Sequence, residues 1–173
     1  MPPDWKVVHQ TIDAENRRLR TEPPEEVVKV FHYSIIDSGA GMDGQAFPTW
    51  FFSAADVRYV AAYCYQIVRL ARDPSFTLDQ LKTMARTFLP QPAEFSGYCG
   101  MEKLWCYTQD LLASLDTVST REDFLELINA MLQYGANLNS WIHHYFKWEM
   151  GSSFPRRTKE QVQEMAALVA AEG

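Results

Sequence analysis

An all-α fold, a single-domain antiparallel bundle of about six or seven helices, is what this sequence predicts. Three observations predict it. Apolar residues recur at helical spacing in segment after segment. Several of those segments open on a Ser or Thr followed three residues later by Glu or Gln, a pairing that satisfies free backbone N–H groups at a helix start. No run of strictly alternating residues competes, apart from one stretch rich in β-branched side chains, Val27 to Ile36.

The first helix is expected from about Asp4 to Arg20, with Asp4 as its cap and Trp5, Val8, Ile12 and Leu19 as its apolar stripe. His9 lies at the edge of that stripe. Thr21-Glu-Pro-Pro-Glu-Glu26 starts a second helix: proline fits a first turn, and Glu25 and Glu26 suit the positive end of the helix dipole. Val27, Phe31, Ser34 and Ile35 share one face of it, with a strand as the alternative. Asp37 to Pro48 is a glycine-containing loop. Thr49 then caps a long helix ending near Asp73-Pro74, ~36 Å in length at 1.5 Å per residue. Phe52, Ala55, Tyr59, Ala62, Gln66 and Leu70 line one side of it.

Thr77-Leu-Asp-Gln80 opens a shorter helix to about Leu89. Pro90 to Gly97 is irregular. Tyr98 to Leu115 is helical, with Met101, Trp105, Thr108 and Leu112 on a face. Ser119-Thr-Arg-Glu122 opens a helix that runs to Met150, where Gly151 stops it. Its stripe is Phe124, Ile128, Met131, Gly135, Leu138 and Ile142. Thr158-Lys-Glu-Gln161 caps a last helix within 155–173, whose Val162, Met165 and Val169 dock it as core, on a partner, or in a homodimer. The whole of 1–173 reads as one domain.

Composition narrows the function classes. The 173 residues are 47% hydrophobic and 22% charged, which is globular usage, and suffice for a single core. The formal charge of -6 argues against nucleic acid, whose phosphates an acidic surface repels. Asp56, Arg58 and Arg69 interrupt the most apolar region, Trp50 to Leu70, so no membrane span is expected. Three cysteines, Cys64, Cys99 and Cys106, make no Cys-x-x-Cys pair, and the N-terminus lacks a signal-peptide pattern, so a reducing, cytoplasmic setting is expected.

Gly39-Ala-Gly-Met-Asp-Gly44 matches G-x-G-x-x-G, but no second strand follows to make it a dinucleotide site. The loop either lets backbone N–H groups approach an anion or is a tight connection needing glycine. Asp37 and Asp43 in it are general bases or turn formers.

The richest chemistry lies in 135–151, where His143, His144, Asn137, Asn139, Trp141, Tyr145, Trp148 and Glu149 share one helix. At 3.6 residues per turn Asn139 and His143 fall on one line, and Asn137, Trp141, His144 and Trp148 on another. The two histidines thus point roughly a hundred degrees apart, and the usual metal spacing is absent around them. A metal is not expected. A histidine facing a pocket would act as general acid or base, because imidazole titrates near neutral pH. Glu102, Asp43 and His32 are the complementary candidates. Trp141, Tyr145, Trp105, Asn139 and Tyr59 are the candidate substrate contacts. Each of these residues has a bland reading too, as a satisfied polar group or a core ring.

Three segments together resemble a known family. Pro23-Pro-Glu-Glu26, the Ser38-Gly-Ala-Gly41 loop leading to Phe47 and the long helix, and Asn139-Ser-Trp-Ile-His-His-Tyr-Phe-Lys-Trp148 are similar to the helical-bundle domain at the C-terminal end of cucumopine synthase. The resemblance covers about Asp4 to Gly151. It implies a small-molecule biosynthetic enzyme of the lyase or cyclase type. Such an enzyme condenses histidine with a 2-oxo acid and closes a ring in Pictet-Spengler fashion, without a nicotinamide or other cofactor. It also implies an additional N-terminal barrel-like domain, which these 173 residues are not expected to contain. The alternative is a non-catalytic bundle that binds a small ligand or a protein partner.

Overall fold

A computed structural model describes residues 2–28, 49–89 and 102–150, the side chains of 49–55 and 145–150 excepted. Five α-helices and one 3-10 turn account for most of these residues, and no strand occurs among them: α1 (Trp5–Arg18), α2 (Thr49–Ala71), α3 (Leu78–Phe88), α4 (Glu102–Ser114), the turn Leu115–Thr117, and α5 (Arg121–Met150). Residues 25–28 form a further helical turn. The loop with Gly39 to Gly44, Asp43, His32, Cys99 and the last helix expected within 155–173 lie outside the described residues.

α5 is the central element. Its most extensive neighbours are α2 and then α1. α2 runs antiparallel to it, and two observations show this. Gly135 of α5 sits opposite Ala61 of α2, so closely that a Cβ there would lie 3.1 Å from the Ala61 Cβ. At the other end, the Arg121 guanidinium donates to the carbonyls of Ala71 (2.8 Å), Asp73 (3.2 Å) and Phe76, closing the C-terminal end of α2. α1 runs parallel to α5, since contacts climb both helices together: Trp5 N–H to Thr117 Oγ1 at 2.9 Å, Asn16 Nδ2 to the Ala130 carbonyl at 3.0 Å, Trp141 Nε1 to the Leu19 carbonyl at 2.9 Å.

The expected stripes of α1 and α5 are buried residue for residue: Trp5, Val8, Ile12 and Leu19 against Phe124, Ile128, Met131, Leu138 and Ile142. Two other faces depart in part from expectation. α2 buries Val57, Val60, Cys64, Ile67 and Val68 beside the expected Ala62 and Gln66, while Tyr59 is 52% exposed. α4 buries Leu104, Thr108 and Leu111 in place of Trp105 and Leu112, which are only half-buried. Both sets satisfy helical spacing, and only the neighbouring helices decide which one faces inward.

The caps follow local chemistry. Asp4 accepts from Lys6 N–H at 2.9 Å. Thr77 and Gln80 exchange both bonds of the capping box, at 3.1 and 2.8 Å. At α5 the cap is Thr120 and not Ser119: its hydroxyl accepts from Asp123 N–H at 3.1 Å, so the Ser119-to-Glu122 box does not form. The preceding 3-10 turn sets the chain one residue late. Lys82 Nζ ties α3 to it through the Val118 carbonyl, at 2.6 Å.

Candidate functional site

The second half of α5 concentrates polar groups where a core would carry hydrocarbon. Asn16 interrupts the α1 stripe between Ile12 and Leu19. It is buried, and burying an amide is tolerable only because its bonds are made. Its Nδ2 donates to the Ala130 carbonyl, and its Oδ1 accepts from Asn137 Nδ2 at 3.1 Å. One turn above Asn137, Trp141 spans to the Leu19 carbonyl, and the His144 ring meets the Trp141 ring edge-on at 5.7 Å. This places Trp141 and His144 together, along the line that the spacing predicts.

On another side of α5, the fully buried Tyr134 hydroxyl donates to Glu26 Oε1. Glu26 is 5% exposed, and its other oxygen has no hydrogen-bond partner among the described residues. Burial pushes its carboxyl up to about 7. The Tyr134 hydroxyl, the backbone N–H groups at the start of α4 and the Lys103 ammonium pull the other way and lose. Tyr107 meets Tyr134 edge-on at 5.0 Å, and burial raises its phenol to about 12. Beside them Glu15 pairs with Arg18 and, at 3.7 Å, with Lys103; burial raises the Glu15 carboxyl but these cations outweigh it and hold it below its ordinary value. A buried carboxyl that titrates near neutrality and bonds a phenol can hold or release a proton. The sequence reading assigned Glu26 only to a helix dipole. Its place one residue before Val27, the first residue of the expected apolar face, was the available signal.

On the α2 side, Asn139 is 3% exposed and Asp56 is 7% exposed. The antiparallel register that sets Ala61 against Gly135 brings Asn139, one turn on, level with Val57 and Asp56. His143 follows a turn later and is half-buried; His144 is exposed. The burial of Asp56 was not foreseen, because a charge inside the apolar Trp50–Leu70 run reads only as an interruption.

The remaining expected residues are dispersed. Glu102 is exposed in the first turn of α4. Trp105 is half-buried. Tyr59 stacks on Tyr63 at 6.4 Å, and Tyr63 on Phe88 at 5.8 Å, on the outer side of α2 and α3. Asp43, His32 and the Tyr145 side chain lie outside the described residues. Among the described residues no three of His, Cys, Asp and Glu come together to hold a metal, and no helix is long and apolar enough to cross a membrane.

The family model for the cucumopine synthase C-terminal helical bundle domain matches residues 5–145. The chain belongs to that family. Residues 5–145 hold α1 through most of α5, so the polar half of α5 lies within the family's bundle. The solved structure of McbB in complex with tryptophan is similar to this bundle, with a TM-score of 0.70 and 35% sequence identity. The similarity covers 90% of this chain and 51% of that chain, so the family bundle spans about half the length of McbB. No curated protein matches the chain.

Proposed function

We propose that this bundle serves a small-molecule biosynthetic enzyme that condenses an aromatic amino acid with a carbonyl compound by acid/base chemistry, without a cofactor. The observation that carries the reading is the 35% identity to a protein solved with tryptophan, over 90% of this chain. Membership of the cucumopine synthase family supports the same substrate class.

The chemistry asks for few groups. The substrate amine adds to the carbonyl, an acid protonates the resulting hydroxyl, and water leaves to give an iminium ion. A ring carbon then attacks the iminium carbon, and a base removes the proton from that ring carbon. His143 or His144 would move the protons, with Glu102, Asp43 or His32 as complement. The electron-rich faces of Trp141, Tyr145 and Trp105 would favour the iminium charge. Asn139 would hold polar substrate atoms, and Tyr59, 52% exposed, would meet the substrate from the outside. Such proton transfer is worth roughly a hundred- to ten-thousandfold in rate.

A second reading has its own support. The chain matches 51% of McbB, which favours a bundle that binds the amino acid and leaves turnover to a complementary part. One experiment separates the two. The protein is incubated with tryptophan or histidine and pyruvate, and mass spectrometry looks for the sum of both reactants less one water. The first reading expects that product and its loss in His143→Ala or His144→Ala with the melting temperature retained. Calorimetric binding of tryptophan without product favours the second. Neither binding nor product overturns both.

A further inference from the structure

We infer that the groove between α1 and α5 binds a short, extended peptide with a free C-terminal carboxylate. The groove is open and holds about 370 Å³, and every residue that lines it except Ala130 is polar. Its position, along the first two thirds of α5, separates it from the histidines at 143 and 144.

The spacing of amides carries the argument. Asn129, Gln133 and Asn137 line the groove at successive turns of one α5 face. Four residues of helix rise ~6 Å. An extended chain repeats same-facing groups every two residues, or ~6.6 Å. Each primary amide presents a donor and an acceptor, the complement of one peptide group. Three rungs therefore match three alternate peptide groups with little slippage. The top rung is already oriented, because Asn137 donates to the buried Asn16, and Asn16 is itself anchored on the Ala130 carbonyl. Ala130, with the smallest side chain at the floor, leaves that space open.

The two ends differ in charge. Arg20 stands at the Asn137 end, and Glu126 at the other, with Asp13 between them on the α1 wall. Neither Arg20 nor Glu126 enters an ion pair among the described residues; Asp13 pairs with Arg17 at 2.7 Å on the exposed side. A guanidinium favours a carboxylate through paired hydrogen bonds. The peptide C-terminus thus belongs at Arg20 and its ammonium at Glu126. From Glu126 to Asn137 the helix rises ~16 Å, which is about five Cα-to-Cα steps of an extended chain and so the span of a hexapeptide, whose peptide bonds supply the three alternate groups. The peptide's outward side chains face solvent, so recognition is of backbone and terminus and not of sequence.

Titration calorimetry with hexaalanine, its C-terminal amide and cellobiose tests this on the intact protein. Hexaalanine is expected to bind. Amidation, Arg20→Ala and Gln133→Ala should each weaken it about tenfold, the loss of one charge-assisted or neutral hydrogen-bond set. The two side chains are exposed, so the melting temperature should hold. The proposal fails if millimolar hexaalanine does not bind, if amidation and Gln133→Ala leave binding unchanged, or if cellobiose binds and hexaalanine does not.

Discussion

The two halves of α5 are buried to similar depth by different chemistry. From Phe124 to Met131 the inward residues are Phe124, Leu127, Ile128 and Met131, all hydrocarbon or thioether, packed on α1 and α2. From Tyr134 to Ile142 the inward residues include Tyr134, Asn139 and the Trp141 indole, with Asn137 beside them; Tyr134, Asn137 and Trp141 each bond a partner on another segment. The first half holds through area removed from water, which is non-directional. The second half keeps Leu138 and Ile142 in the apolar core and adds hydrogen bonds, which fix orientation and penalise a lost partner more than they reward a made one. One helix thus serves as core at one end and as a frame for polar chemistry at the other.

Substitutions can break or sharpen that contrast. The largest effect is expected at the apolar end: Phe124→Ala should cost ~3–5 kcal/mol in urea denaturation and leave the pH dependence of stability untouched. A loss below ~1 kcal/mol would mean that the apolar half is not the anchor. Next comes Glu26. Its folded carboxyl titrates near 7 against an ordinary value of 4.5, so the folded state holds the proton more tightly than the unfolded state does. The stabilisation is full below pH 4.5 and is lost as pH rises to about 7, a difference of about 3 kcal/mol. Unfolding midpoints from pH 4 to 9 should fall over that window in the native protein and stay level in Glu26→Gln. A slope that survives the substitution would assign the titration elsewhere.

Smaller again is the amide pair. Asn137→Ala alone should cost about 1–3 kcal/mol, by leaving the Asn16 oxygen buried and unpaired, while Asn16→Leu with Asn137→Ala should cost less than the sum of the single changes. Strict additivity in this double-mutant cycle would show that the pair does not act together. The smallest effect is expected at His144: it is exposed, so His144→Ala should move stability by no more than ~0.5 kcal/mol. A larger loss would make its ring contact with Trp141 structural.

The stripes of α1 and α5 were legible because each helix buries one face, and a 3.6-residue period marks that face in the chain itself. The Thr77 box was legible because both its bonds are local. Tyr59 misled, since it shares the helical spacing of Ala62 and Gln66, which are buried, yet is itself 52% exposed. Of the candidate site, the meeting of Trp141 and His144 was legible, because both lie on a single helix, three residues apart. Contacts that join distant segments were hidden: Glu26 meets Tyr134 across 108 positions, and Asn16 meets Asn137 across 121.

Sequence by itself therefore determined that the chain is helical, where most helices begin and end, and which stripes of α1 and α5 turn inward. Those properties arise from interactions within a few residues. Tertiary structure alone decided that α1 lies parallel to α5, that Gly135 admits Ala61, and that Glu26 is enclosed with a phenol and raised toward neutrality. Those depend on which surfaces meet, and burial of a charge has no meaning until the neighbours that exclude water are in place.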